Sequence, residues 1–404
     1  METVRSPLDI VADAAPDRPV FCFRPERLKA AARWFRDVFP AEPFYAVKAN
    51  PSAHVLDTLW AAGIRGFDVA SDGEAELIAG RFPTARLAFM HPVKNRRAIA
   101  RAYHEFGCRR FVLDTDAELA KILDATGGAR DLTLVVRVGV SNHGATLPLT
   151  GKFGASERDA PELLRATRAV AAELGVSFHV GSQALSPPAW HTAMADLSRL
   201  IVAAGVTVDL VDVGGGFPGH YGGVAPPALE SYAAIIAEAF EDMKVLENAA
   251  LWCEPGRAMV AECESLLVRI EGTHDGALYL NDGSFGGLYD AVHERWSFPV
   301  RAMGAGGLIE GPLRDWTVYG PTCDSADRFP EPLALPAGLA EGDYLEFGNL
   351  GAYGRAMASR FNGFGAFDTV IAQDAPWPSL YARDGEAASP AAGATLTTLT
   401  SGNP

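Results

Sequence analysis

The stretch Pro43-Phe44-Tyr45-Ala46-Val47-Lys48-Ala49-Asn50 decides how the chain is read. Its first half is apolar and aromatic, the composition of a short buried strand over 44–47. The strand delivers a single lysine, Lys48, at its C-terminal end. A lysine at the mouth of an apolar strand has the placement an imine-forming amine needs. Its surroundings favour the neutral amine, and the strand fixes its position. Taken alone, these eight residues fit an ordinary strand-end lysine reaching water better. The rest of the chain decides between the two.

Outward from this stretch the chain repeats one theme, a short apolar strand, a loop and a helix. Further strands are expected at 66–70, 87–90, 110–113, 132–138, 177–180, 210–213 and 251–253. Helical spacing runs over 26–38, 52–62, 73–79, 94–106, 116–125, 161–174, 190–204 and 229–240. Alternation of this kind gives parallel β/α units. Eight of them predict an α/β fold built on a closed (β/α)8 barrel spanning 25–264. The rival, an open doubly wound sheet, normally carries its glycine-rich phosphate turn after the first strand. Here that turn comes late, at Gly214-Gly215-Gly216. From 265 to 381 the rhythm changes to strands joined by Gly/Pro loops, which predicts a mainly β domain. A strand at 20–23, within the N-terminal segment 1–24, is expected to join it. Residues 382–404, rich in Ala, Gly, Ser and Thr, read as a disordered tail.

The chain has 404 residues, 48% of them hydrophobic, so a large core is available. Its net charge of −15 disfavours nucleic acid and anionic membrane as partners. Five scattered cysteines without a C-x-x-C pair argue for a reduced cytoplasmic protein with neither disulfides nor a zinc site. The N-terminus lacks the apolar core of a signal peptide, and no apolar run is long enough to span a membrane.

In a β/α barrel the site lies at the C-terminal ends of the strands. In order, those ends supply Lys48, then Asp68 and Ser71, Arg137, His179 with Gly181 and Ser182, Asp212 with Gly214, Gly215 and Gly216, and Glu254 with Gly256 and Arg257. Each item alone has a plain structural reading. A glycine triplet is a tight turn, a single histidine a satisfied core residue, and Glu254 with Arg257 a solvated pair. Together they suit one ligand, part aromatic and part phosphate. Glycine amides and the Arg257 fork suit a phosphate. His179 can lie against an aromatic ring, and Glu254 can pair with a protonated ring nitrogen. The ligand so described is pyridoxal 5′-phosphate, bound through Lys48.

With these residues in place, the sequence resembles the ornithine/diaminopimelate decarboxylase family of pyridoxal-phosphate enzymes, which share the alanine racemase fold. The resemblance runs from about residue 20 to residue 375. It is carried by Tyr45–Asn50, Phe178–Ser182, Asp212–Gly219, Glu254–Arg257, Gly320-Pro321-Thr322-Cys323-Asp324 and Gly351-Ala352-Tyr353. It implies that Lys48 carries the cofactor and that Glu254 keeps the pyridine nitrogen protonated. It further implies that Ser182, Gly216, Arg257 and Tyr353 hold the phosphate, that His179 stacks on the ring, and that Cys323 returns a proton after CO₂ departs. Family members are homodimers with shared sites, so Cys323, Asp324 and Tyr353 are expected to serve the partner subunit. A racemase of the same fold faces the ring nitrogen with arginine, against which Glu254 argues.

For the substrate, the resemblance places Tyr289, Asp290, Cys323 and Asp324 around the distal group. Two carboxylates suit an ammonium. That favours L-ornithine, giving putrescine in polyamine biosynthesis, with lysine as a second substrate, since one methylene is worth only about 1–3 kcal/mol in a pocket. One departure points elsewhere. Ser325, where ornithine enzymes commonly carry glycine, is common in diaminopimelate decarboxylases. A non-catalytic regulatory relative is the other alternative, and the presence of Lys48, Glu254, Arg257, Cys323 and Asp324 argues against it.

Overall fold

The structure is a computed structural model that describes residues 1–140, 145–147, 151–222, 225–294 and 296–381. The expected tail at 382–404 lies outside the described residues. The chain divides into two compact units. One comprises Lys29–Pro218 and Pro227–Met259; the other comprises Met1–Leu28, Gly219–Pro226 and the chain from Val260 onward.

The first unit is a closed barrel of eight parallel strands. They are β1 (Glu42–Ala46), β2 (Gly66–Val69), β3 (Arg86–Phe89), β4 (Arg110–Leu113), β5 (Thr133–Arg137), β6 (Glu173–Ser177), β7 (Leu210–Asp212) and β8 (Ala250–Cys253). The circle closes where Trp252 and Cys253 of β8 pair with Glu42 and Pro43 of β1. Strands of a closed barrel are covered on both faces, so they read as apolar runs without alternation. Phe44, Ala88, Met90, Val112, Val135, Leu210 and Trp252 form one buried cluster. The Phe44 and Trp252 rings stand 4.3 Å apart within it. Three helices start directly past β2, β3 and β4, capped by Ser71, Asn95 and Thr115, whose side-chain oxygens accept amides of the first turn.

Two barrel expectations are corrected. Strand β1 stops at Ala46, and Val47–Ala49 form a turn of 3-10 helix, so Lys48 sits just past the strand. Strand six was expected at 177–180 and lies at Glu173–Ser177. Leu174 continues the apolar spacing of the preceding helix, which is why the sequence points to 161–174 as helical. The helix instead ends at Arg168. Register with β5, Thr133 opposite Glu173 and Arg137 opposite Ser177, fixes the strand and leaves His179 beyond its end.

The second unit is a ten-stranded sheet among the described residues. Its centre is the long strand Glu264–His274, paired with the N-terminal strand Val20–Phe23 on part of one edge. Four strands of this sheet escaped the sequence, Val300–Gly304, Leu333–Pro336 and the two-residue Thr3–Val4 and Gly307–Leu308. In the first, Arg301 breaks the apolar pattern. The fold accommodates it because Arg301 meets Glu346 and Asp374, each at 2.6 Å.

Candidate active site

The C-terminal ends of the barrel strands bring together most of the residues singled out in the sequence. Lys48 leaves its turn with Nζ 3.0 Å from Oδ2 of Asp68, on β2. The Lys48 side chain is 47% exposed and that of Asp68 2%, so the amine is reachable while its counter-ion is buried. The turn is pinned from below, where the buried Tyr45 hydroxyl donates to the Asn50 carbonyl at 2.9 Å.

Residues 254–256 dock onto the end of β1. The Ala46 amide donates to the Pro255 carbonyl at 3.2 Å. A Cβ on Gly256 would lie 3.2 Å from the Ala49 Cβ, so this close approach needs a small residue. Glu254 is thereby held beside the Lys48 turn, and buried Arg257 follows it.

Gly214 and Gly216 line the mouth past β7. Both adopt positive φ, 66° and 99°. A Cβ on Gly214 would lie 2.2 Å from the Phe178 carbonyl oxygen, and one on Gly216 2.3 Å from that of Gly181. Any larger residue would force the two loops apart. The Ala184 amide donates to the Gly216 carbonyl at 2.9 Å, tying the segment that carries Ser182 to the same turn. Behind it, Phe217 stacks on Trp190 at 5.0 Å.

His179 accepts the Gly181 amide at Nδ1, 3.0 Å away. Burial, with the charges of Arg137 and Lys48, pushes its pKa down to about 3. The ring is therefore neutral and carries its proton on Nε2, toward the Gly215 turn.

Acidic groups crowd the other side. Asp212 is buried and accepts the Gly214 amide at Oδ1, 2.9 Å away. Burial, with the nearby Asp68 charge, raises its pKa to about 7. Glu254 is pushed well above the usual carboxyl range by burial, then by Asp212 and Asp68. Its Oε1 is buried without a hydrogen-bond partner. An orphaned buried carboxyl oxygen is costly unless a ligand satisfies it. An N–H from a pyridine ring would do so. With the glycine cradle and Arg257 at hand, the residues present fit pyridoxal phosphate. Asp68 and Asp212 belong to this constellation, although the sequence marks them only as polar strand-end residues.

The remaining candidates lie in the second unit. Tyr289 and Asp290 open a short helix, Tyr289–His293, and Asp290 is buried. Cys323 is the one exposed cysteine; Cys22, Cys108, Cys253 and Cys263 are buried, and all five are free. Asp324 lines a cleft of about 660 Å³ that also presents Asp17, Arg18, Glu271 and Tyr279. Asp327 anchors this loop, accepting the amides of Ser284 at 2.7 Å and Thr322 at 2.9 Å. Tyr353 sits at φ 61° ahead of the short helix Gly354–Met357. Among the described residues no cluster of His, Cys, Asp or Glu is arranged to hold a metal ion, and no helix is long and apolar enough to cross a membrane.

Comparison with known proteins agrees with this chemistry. Residues 26–261 match the family described as pyridoxal-dependent decarboxylase, pyridoxal binding domain. The lysine/ornithine decarboxylase of Selenomonas ruminantium is 32% identical over 346 residues, covering 82% of this chain and 84% of that protein. The ornithine decarboxylase of Mus musculus is 32% identical over 370 residues, covering 83% of this chain and 76% of that protein. Among solved structures, the arginine decarboxylase of Paramecium bursaria Chlorella virus, bound to agmatine, superposes with a TM-score of 0.80. It is 25% identical, covering 90% of this chain and 98% of that one.

Proposed function

Since this chain belongs to the pyridoxal-dependent decarboxylases, we propose that it removes the α-carboxylate of a basic amino acid, L-ornithine first and lysine second. It is a pyridoxal-phosphate-dependent carboxy-lyase. When bound, pyridoxal phosphate supplies the electron sink for the pair freed as CO₂ leaves. The observation that carries the reading is the convergence of Lys48 and the orphaned Glu254 oxygen at the barrel mouth.

Each residue then has a task. Lys48 holds the cofactor, and its paired Asp68 takes and returns protons at Nζ. Glu254 faces the ring nitrogen. His179, neutral at working pH, packs against the ring without adding a charge. Gly214, Gly215, Gly216, Ser182, Arg257 and Tyr353 hold the phosphate, Arg257 as a fork. Arg137, which closes β5 next to His179, balances the acids. Cys323 donates the proton that replaces CO₂. Asp290 and Asp324 read the distal ammonium, with Tyr289 beside them; the acids around Asp324 in its cleft support a cationic substrate. By the family pattern the enzyme is a homodimer in which Cys323 and Asp324 serve the partner's site. Its five unpaired cysteines suit the cytoplasm. Ser325 keeps diaminopimelate as the second reading.

The test is CO₂ release with product identification from ornithine, lysine, arginine, diaminopimelate and norleucine, for wild type and Asp324→Asn. Ornithine is expected to lead and to lose about tenfold in kcat/KM in the variant, about 1.4 kcal/mol, while norleucine changes little. Faster turnover of diaminopimelate than of ornithine would select the second reading. An equal loss for ornithine and norleucine would remove Asp324 from the distal site.

A further inference from the structure

The proposed reaction brings two anions to the barrel mouth, the cofactor phosphate and the α-carboxylate that is lost. The glycine turn past β7 and Arg257 suit the first. A second cationic cluster gathers past β3 and β5 around Phe153. Arg137 and Lys152 stand over the Phe153 ring at 5.6 and 5.0 Å, and the His91 ring meets it edge-on at 5.1 Å. The segment carrying Phe153 is docked on the strand ends. The Gly154 amide donates to Asp114 Oδ2 at 2.9 Å, and the Ala155 amide to the Arg137 carbonyl at 2.9 Å. His91 follows β3, four strands round the barrel from β7 and its glycine turn. Ala46, Asp68 and Ala88 stand level across β1, β2 and β3. The Lys48 and His91 backbones therefore rise two strand spacings apart, about 10 Å. A lysine side chain and an imidazole, with a small ligand between them, can fill that gap.

The imidazole is fixed before any ligand arrives. Its Nδ1 accepts the Val93 amide at 3.2 Å, so the proton of the neutral ring sits on Nε2. Among the described residues none accepts a hydrogen bond from that N–H. The His91 carbonyl in turn accepts Nζ of buried Lys94 at 3.0 Å. Burial, and then the charges of Lys94, Lys152 and Lys48, lower the His91 pKa and keep the ring neutral. We propose that His91 is a substrate-positioning group that donates its Nε2–H to the α-carboxylate of the bound amino acid. This rests on reading the barrel mouth as the site of a pyridoxal-phosphate-dependent decarboxylase. A neutral donor suits the task. A carboxylate held in a full ion pair would be stabilised before the reaction and not as it leaves, which slows its loss. A single N–H orients the group at smaller cost, while the cations around Phe153 draw the anion in.

The test separates amino acids from their amine products, which lack the carboxylate. Wild type, His91→Phe and His91→Gln are loaded with pyridoxal phosphate. KM is measured for L-ornithine and L-lysine, and the dissociation constants of putrescine and cadaverine are read from the cofactor absorbance. His91→Phe keeps a ring against Phe153 and loses the N–H. It is expected to raise both KM values about tenfold or more, the scale for losing a hydrogen bond to a charged group. The amine constants should stay within about twofold of wild type, because the amines never made the contact. Pyridoxal phosphate should titrate into the cofactor-free full chain as it does in wild type. His91→Gln, which restores a donor, should recover part of the loss. Equal weakening of amino acids and amines, an unchanged KM, or a loss of cofactor affinity in His91→Phe would overturn the role of His91. A wild type that binds pyridoxal phosphate yet releases CO₂ from no basic amino acid would instead overturn the decarboxylase reading beneath it.

Discussion

Lys48 Nζ and Asp68 Oδ2 stand 3.0 Å apart, one side chain half exposed and the other sealed in the barrel. The pair joins the turn past β1 to β2 and holds the amine at the place where a ligand would enter. A positioned counter-ion both orients the amine and accepts the proton it must shed. Asp68→Asn is therefore expected to slow cofactor attachment about tenfold without abolishing it. Stopped-flow absorbance of cofactor capture measures this, and an unchanged rate would make the pair purely structural.

His179 predicts a pH signature in stability. Its pKa falls from the ordinary histidine value to about 3 in the folded chain, chiefly through burial. Between roughly pH 6.5 and about 3 the unfolded chain holds a proton that the folded chain lacks. Stability from this group is complete above that window and is lost as pH falls through it, by at most ~1.4 kcal/mol per pH unit. His179→Gln should remove this part of the acid loss. Denaturant melts of both proteins across the window should converge as the pH drops; parallel curves would contradict the assignment.

Shared sites make a complementation test decisive. Lys48→Ala and Cys323→Ala subunits should each be inactive alone. Mixed, they should regain about a quarter of wild-type activity, since one site in each mixed dimer has both residues intact and mixed dimers are about half the population. No recovery, with subunit exchange shown by mass spectrometry, would place Cys323 and Lys48 of one chain in the same site.

The barrel was legible because its strands are apolar on both faces and its helices are regularly spaced. Lys48, the glycine triplet and Glu254 stood out because each breaks an apolar pattern at a strand end. The limits were physical too. Leu174 fits a helix face as well as a strand, so only register with β5 could place strand six. Arg301 looks like a loop residue until Glu346 and Asp374 are seen to neutralise it. Asp68 and Asp212 could be read as polar strand-end residues, but the Asp68 contact with Lys48 crosses between two strands, and Asp212 turns back onto the Gly214 amide. No spacing rule announces such contacts. The roles of Asp290 and Asp324 rest on motif resemblance, because neither spacing nor composition specifies what a carboxylate will face.

The most direct test of the central claim, that the cofactor is carried on Lys48, is borohydride reduction of the cofactor-loaded protein followed by peptide mapping. The site has a natural competitor in Lys94. That lysine also follows a barrel strand, is buried against the Val112 carbonyl at 2.6 Å and Glu118 at 3.0 Å, and is lowered by burial to a pKa of about 8. A low pKa alone would favour Lys94 as the nucleophile. Access and the surrounding cradle favour Lys48. The pyridoxyl label is expected on the peptide containing Lys48 and absent from Lys48→Ala; a label on Lys94, or one that survives in Lys48→Ala, would contradict the claim.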